Sequence, residues 1–215
     1  MIKAVFFDFW GTLVENGTYS PLRQSFGILH PKIHFSQFVE RFERVLMTKE
    51  FKTQAEAFET VCKEFSTAPK PFITEKLIGI WNKNRLLASL YPDVEPVLKE
   101  LKESGLKLYL VCNASQNSVE PVIEKFNLGR FFDDVFISYK EGALKNSGLF
   151  EIALEKTGLK NDEVIMVGDS IQSDIKGAKD AGIRAVLIDR KDTRDFENKI
   201  TSLKDLKKFL EVKNE

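Results

Sequence analysis

Lys3-Ala4-Val5-Phe6-Phe7-Asp8-Phe9-Trp10-Gly11-Thr12 sets an unbroken apolar run directly before a carboxylate, with a glycine shortly after it. Such a run reads as a buried strand over residues 3–8. Asp8 then stands at the strand's C-terminal edge, and Gly11 lets the backbone turn. A carboxylate so placed has to be solvated, paired or bound to a metal.

Outward from this strand the texture becomes helical, over residues 16–90. Phe35, Phe38, Val39, Phe42, Val45 and Leu46 fall on one helical face, and Phe58, Val61, Cys62 and Phe65 on another. Thr53 and Glu56 have the spacing of a capping box that starts the second helix. A third helical run follows Thr74, with Leu77, Ile80, Trp81 and Leu87. No strand pattern interrupts this block, so it reads as a helical insertion whose phenylalanines form a core.

Tyr91-Pro92-Asp93 punctuates the chain, and from there helices and apolar strands alternate. The pattern predicts helices over 94–104, 115–127, 149–157, 173–181 and 202–212. It predicts strands over 106–112, 135–138, 164–167 and 184–188. Gly105, Gly158 and Gly182 close three of the helices. The charged stretch 189–199 reads as a solvated loop. The fold class is therefore α/β: a doubly wound parallel sheet covered on both faces, formed by residues 1–15 and 91–215, with an inserted all-helical unit over 16–90.

At 215 residues the chain can bury a substantial core, and its 32 basic residues balance 32 acidic ones. No net field therefore favours nucleic acid or an anionic membrane surface. Cys62 and Cys112 stand far apart, with no neighbours at zinc-ligand spacing, which fits a reduced setting. No apolar run has the length of a membrane span, and no signal-peptide pattern opens the chain. The expectation is a cytoplasmic protein, monomer or homodimer, without membrane or nucleic-acid partners.

In open parallel sheets ligands bind beyond the carboxyl ends of the strands. Asp8 ends the first strand, and Cys112-Asn113-Ala114-Ser115 ends the second. Lys145 follows the third, Gly168-Asp169-Ser170 ends the fourth, and Asp174 lies five residues beyond Asp169. Three carboxylates and one lysine thus converge on one edge, near helix N-termini able to hold an anion. Close carboxylates repel unless a cation sits among them, and a hard divalent ion such as Mg²⁺ fits oxygen ligands while leaving room for a phosphate. Lys145 would neutralise Asp8 and a phosphoryl oxygen.

FFDFWGTLV (6–14), VCNAS (111–115), Lys145 and VGDSIQSDIKGAKDAGI (167–183) resemble, in order and spacing, the four motifs of the haloacid dehalogenase superfamily of hydrolases. The resemblance extends to YPDVEPVLKELKESGLKL (91–108) and to an insertion of the cap type after the first strand. It implies that Asp8 is a nucleophile forming a covalent aspartyl intermediate. It further implies that Asp8, the main-chain carbonyl of Trp10 and Asp169 hold Mg²⁺ with support from Asp174, while Cys112, Asn113, Ala114 and Lys145 face the phosphate.

Two positions depart from the family pattern. Phosphatases of this family usually carry a second Asp, the general acid and base, where this chain has Trp10. An indole can do neither, and the loss of such a group is worth about 10² to 10⁴ in rate. Cys112 replaces a usual Ser or Thr, and reads mainly as a packed residue with a minor contact. Three functions follow. The favoured one is a Mg²⁺-dependent phosphohydrolase acting on a small phosphorylated metabolite. The second is a metal-independent 2-haloacid dehalogenase, since those relatives also carry an aromatic residue at this position; Arg23, Arg41 or Arg44 would then hold the substrate carboxylate. The third is a non-catalytic protein that binds a phosphate ligand. Retention of Asp169 beside Asp8 favours the first, because without a cation the pair is an electrostatic cost with no return.

Overall fold

The computed structural model describes residues 1–15 and 20–210. The opening apolar run forms strand β1 (Ala4–Phe7), buried throughout. Four helices follow before the chain returns to the sheet: α1 (Pro21–Leu29), α2 (Phe35–Leu46), α3 (Gln54–Glu64) and α4 (Pro71–Leu86). On α2, Phe38, Phe42 and Leu46 recur every fourth residue and bury one face. They meet Phe58, Val61, Cys62, Phe65 and Leu77 in a core of their own. The Phe38 and Phe65 ring centroids lie 4.6 Å apart, and Trp81 stacks on Phe42 at 5.5 Å. The Thr53 hydroxyl caps α3 by accepting from the Glu56 amide at 3.1 Å. The Glu56 carboxylate in turn accepts from the Lys52 amide. Sequence periodicity overlooks α1, whose signal is interrupted by Gly27, and starts α4 a few residues late, at Thr74 instead of Pro71.

The rest of the chain alternates: α5 (Val94–Glu103), β2 (Lys107–Cys112), α6 (Glu120–Lys125), β3 (Asp134–Ile137), α7 (Ser138–Glu141), α8 (Leu149–Thr157) and β4 (Val164–Gly168). A π-helical turn, Ile171–Lys176, runs into α9 (Gly177–Asp180), followed by β5 (Arg184–Ile188) and β6 (Lys199–Ile200). A 3₁₀ turn, Leu203–Leu206, leads into α10 (Lys207–Leu210). The strands form one parallel sheet in the order β3-β2-β1-β4-β5-β6. Alternate residues of a strand face opposite ways, and this divides the sheet's packing cleanly. Val5, Phe7, Leu108, Leu110, Ile165 and Val167 pack with α5 on one face. Ala4, Phe6, Tyr109, Val111, Val164 and Met166 pack with Leu149, Phe150 and Ala153 of α8 on the other. Among the described residues no helix is long and apolar enough to cross a membrane.

Four expectations need correction. The helix expected over 115–127 is only Glu120–Lys125, because Asn117 takes a left-handed backbone (φ 63°) and Pro121 suits only a first turn. The helix expected over 173–181 begins instead as the wider π-helical turn. The last helix is split, starting as a 3₁₀ turn, and the expected end at Val212 lies outside the described residues. The stretch 189–199 is not a plain solvated loop: Asp189 is buried and paired with Arg194 at 3.3 Å, and a short strand, β6, begins at Lys199.

Arg190, in the same stretch, fastens four segments together. Its Nη1 donates to both oxygens of Asp93 at 2.8 and 2.7 Å, and its Nη2 donates to the Thr12 carbonyl at 2.5 Å. Its guanidinium lies 4.0 Å from the Tyr91 ring centroid. Asp93 also accepts from the Ser202 hydroxyl and the Leu203 amide. Burial alone would raise the Asp93 carboxyl, but bonds from Arg190 and Ser202 hold it below its ordinary value. Its stabilising contribution is therefore present above the unfolded carboxyl range and is lost as pH falls through the lowered folded value. Arg190→Met strands this carboxylate and should lower the unfolding free energy at pH 7 by about 3–5 kcal/mol. Urea denaturation measures the loss, which should shrink once Asp93 protonates at low pH.

Candidate active site

Parallel strands bring their carboxyl ends to one edge, and the sequence order of the strands reverses at β1, between β2 and β4. Asp8 extends β1 by donating its amide to the Val167 carbonyl at 2.9 Å, which fixes the carboxylate beside the end of β4. Asp169 follows directly after β4, and Asp174 returns from the π-helical turn. Carboxylate oxygens of Asp8, Asp169 and Asp174 all lie within 4.8 Å of one another. Two glycines make this convergence possible by lacking a Cβ. At Gly168 a Cβ would fall 2.2 Å from the Asp174 carboxylate, and at Gly177 it would fall 2.9 Å from the Lys145 carbonyl.

Lys145 is buried, and its ammonium donates to Asp8 Oδ1 and Asp174 Oδ1, both at 2.5 Å. Burial opposes its charge, yet the two carboxylates outweigh that and raise its pKa. Asp174, fully buried, also accepts from the Ser170 amide at 2.9 Å. Thr12 Oγ1 donates to the second Asp8 oxygen at 3.3 Å. The single lysine does not balance the site. Burial, with Asp174 close by, pushes the Asp8 carboxyl up to about 6 despite Lys145. Burial and the charges of Asp8 and Asp174 likewise hold Asp169 well above its ordinary value. Clustered oxygen donors with unrelieved negative charge suit a hard divalent cation, so the donor set fits Mg²⁺.

Lys145 is held from its main chain as well: its amide donates to Asn113 Oδ1 at 2.9 Å. That bond fixes the Asn113 amide so that Nδ2 points the other way, donating to Glu43 Oε2 at 3.0 Å. Glu43 belongs to α2 in the insertion, and no motif in the sequence marks it. Burial drives its carboxyl up to about 7, with the Asn113 bond and Lys145 opposing and Asp174 and Asp8 adding to the rise. Phe35, Val39, Glu43 and Met47 recur every fourth residue and line one cavity of about 330 Å³ with Asp8, Trp10, Asn113, Lys145, Asp169 and Asp174. A lone carboxylate in an otherwise apolar stripe is the signal that could have found it.

Other expected site residues fare differently. Trp10 is part-buried, lines the cavity and meets Phe9 edge-on at 5.4 Å. Cys112 and Ala114 do not line the cavity. Cys112 is packed in the core, where burial raises its thiol pKa, and the Ala114 amide is engaged by Ser138 Oγ at 2.9 Å. Of the three arginines weighed for a substrate carboxylate, Arg23 lines the cavity, with its guanidinium 4.6 Å from the Phe35 ring centroid. Arg41 is paired with Glu64 and Arg44 with Glu40, and neither lines the cavity.

A family model described as haloacid dehalogenase-like hydrolase matches residues 2–182. A glyceraldehyde 3-phosphate phosphatase from Methanothermobacter thermautotrophicus is 27% identical over 99% of this chain and 100% of its own. Among solved structures, a HAD phosphatase from Thermococcus onnurineus superposes with a TM-score of 0.62 at 24% identity, covering 98% of both chains. A 2-haloacid dehalogenase from Pseudomonas syringae gives 0.65 at 18% identity over 98% of each. The fold is therefore common to both chemistries and does not choose between them.

The charge excess carries a stability consequence. Because the Asp8 carboxyl sits above its unfolded value of 3.8, at about 6, the fold disfavours its ionised form. Metal-free protein should lose stability as pH rises through that window, and Asp8→Asn should escape the loss. With chelator present, the variant should be more stable than the parent by about 1–3 kcal/mol at pH 8. The two should converge near pH 4 in thermal melts.

Proposed function

Since the chain belongs to the haloacid dehalogenase-like hydrolases, we propose that it is a Mg²⁺-dependent phosphohydrolase of a small phosphorylated metabolite, working through an aspartyl-phosphate on Asp8. The observation that carries this reading is the cluster of Asp8, Asp169 and Asp174 around a single buried lysine. A dehalogenase that works without metal has no use for that surplus of negative charge. The full-length relative named as a phosphatase supports the same choice. The helices over residues 21–86 act as a cap, and a cavity of about 330 Å³ between cap and sheet edge suits a small substrate.

Asp8, the Trp10 carbonyl and Asp169 would hold Mg²⁺, with Asp174 supporting them while it anchors Lys145. When bound, the ion would neutralise the carboxylates and draw charge from the phosphoryl oxygens. Lys145 keeps Asp8 ionised and aimed, and its ammonium faces the same transferring group. Asp8 attacks phosphorus, the bond to the leaving oxygen breaks, and water later cleaves the resulting acyl phosphate. Trp10 and Phe35 supply apolar walls that keep stray water from the intermediate.

Hydrolysis of p-nitrophenyl phosphate should require Mg²⁺ and fall to background in Asp8→Asn, although that variant remains folded. Equal turnover in the variant would remove Asp8 from its role. Chelator-insensitive halide release from 2-chloropropionate would establish the dehalogenase instead. Tight phosphate-ligand binding with neither activity would point to the non-catalytic reading.

A further inference from the structure

We propose that Glu43 of the cap is the general acid and base of this site, doing from α2 what Trp10 cannot do from the loop after β1. The inference rests on the phosphohydrolase reading above and assigns the proton transfers that the reading leaves without an owner.

Elimination within the cavity comes first. Asp8 is the nucleophile, Asp169 belongs to the metal site, and Asp174 is tied to Lys145 and the Ser170 amide. Lys145 is paired twice and held protonated. Arg23 and Arg85, the cavity's other charged residues, do not release protons near neutrality. Glu43 alone remains among the described residues that line the cavity and can exchange a proton. Geometry gives the second line. Asp8 attacks from the sheet edge, so in-line displacement sends the leaving oxygen away from the sheet, toward the cap that carries Glu43. Asn113 Nδ2 donates to Oε2, and Oε1 has no hydrogen-bond partner among the described residues. That bond favours Oε2 as the carbonyl oxygen, so a proton on this carboxyl is favoured on Oε1. Its surroundings retain it in part at neutrality: burial raises the group to about 7, against the pull of Asn113 and Lys145 and with the push of Asp174 and Asp8.

The steps balance as follows. An Asp8 oxygen forms a bond to phosphorus while the bond from phosphorus to the ester oxygen breaks, its electron pair staying on that oxygen. The Glu43 proton passes to the same oxygen and the alcohol leaves. Glu43, now a carboxylate, takes a proton from a water whose oxygen bonds to phosphorus. The phosphorus bond to Asp8 breaks, releasing phosphate, and both carboxyl groups return to their starting states.

The test is a series of substituted phenyl phosphates, from p-nitrophenyl to unsubstituted phenyl, assayed with Mg²⁺ on the wild type and on Glu43→Gln. The isosteric amide can still accept from Asn113 but has no proton to give. In the wild type, kcat/KM should depend weakly on the leaving group, and for phenyl phosphate it should fall as pH rises through about 7. In the variant, phenyl phosphate should lose about 10²-fold or more in kcat/KM, whereas the p-nitrophenyl ester, whose leaving group needs little protonation, should lose about tenfold at most. The falling pH limb should disappear. An equal loss across the series, or an unchanged slope, would overturn the assignment, since a purely structural role predicts one or the other. Should the variant not fold, a steep leaving-group dependence in the wild type would overturn it alone, and a shallow one would uphold it. Absence of Mg²⁺-dependent hydrolysis of any ester by the wild type would remove the phosphohydrolase reading itself, a different outcome from normal turnover with a steep slope.

Discussion

A buried ammonium clamped between two carboxylates is the constraint on which this site depends. Lys145 reaches Asp8 and Asp174 at the same distance, 2.5 Å, and each partner arrives from a different part of the chain. Pairing one lysine with two carboxylates offsets much of the cost of burying the three groups, yet it leaves them net acidic, and Asp169 adds to the excess. The surrounding backbone is arranged to make this approach possible. Gly168 leaves room for the Asp174 carboxylate, and Gly177 leaves room for the Lys145 carbonyl. The Asp8 amide is locked to β4 at 2.9 Å. Stability is thereby given up at a sheet edge that the apolar packing on both faces holds in place.

Much of this was legible because strands buried on both faces leave an unmistakable mark. The runs ending at Asp8, Cys112 and Gly168 each stop at polar residues, and parallel topology then sends those polar residues to one edge. What stayed hidden was set by contacts distant in sequence or by local backbone choices. Asn117 adopts a left-handed conformation that shortens α6, and no periodicity reports it. Arg190 looked like one charge in a charged loop; its meaning comes from Asp93 and Thr12, both far away in the chain. Cys112 and Ala114 occupy motif positions, yet one is packed in the core and the other is satisfied by Ser138. Position in a motif fixes where the backbone goes, whereas neighbouring elements decide which atoms stay free.

Asn113 shows how the insertion is connected to the sheet edge. Its carbonyl oxygen receives the Lys145 amide and its nitrogen donates to Glu43, so one side chain links the sheet edge to the insertion. Helix α2 serves two surfaces at once. Phe38, Phe42 and Leu46 face the insertion's own core, while Phe35, Val39, Glu43 and Met47 face the cavity. A four-residue repeat on each stripe achieves both from one helix. Nearby, the Phe51 amide donates to Gln116 Oε1 at 3.0 Å and Arg85 donates to the Asn117 carbonyl at 2.9 Å. The irregular turn before α6 is thus a second tether between the two parts.

In the phosphohydrolase reading, Trp10 beside Asp8 calls for a proton donor elsewhere. An indole there thickens the apolar wall, and the poorly solvated space it helps to create disfavours ionised carboxyls. For Asp8 that is a handicap, offset by Lys145 and, in the reading above, by Mg²⁺. For Glu43 the same environment is an asset, because a carboxyl raised to about 7 still holds its proton in part at neutral pH and gives it up when charge develops on a leaving oxygen. Two carboxyl groups in one cavity are thus pushed in the same direction by burial and separated by their partners. A lysine draws one toward its anionic form without cancelling the effect of burial, and an amide that donates to one oxygen leaves the other free to carry a proton.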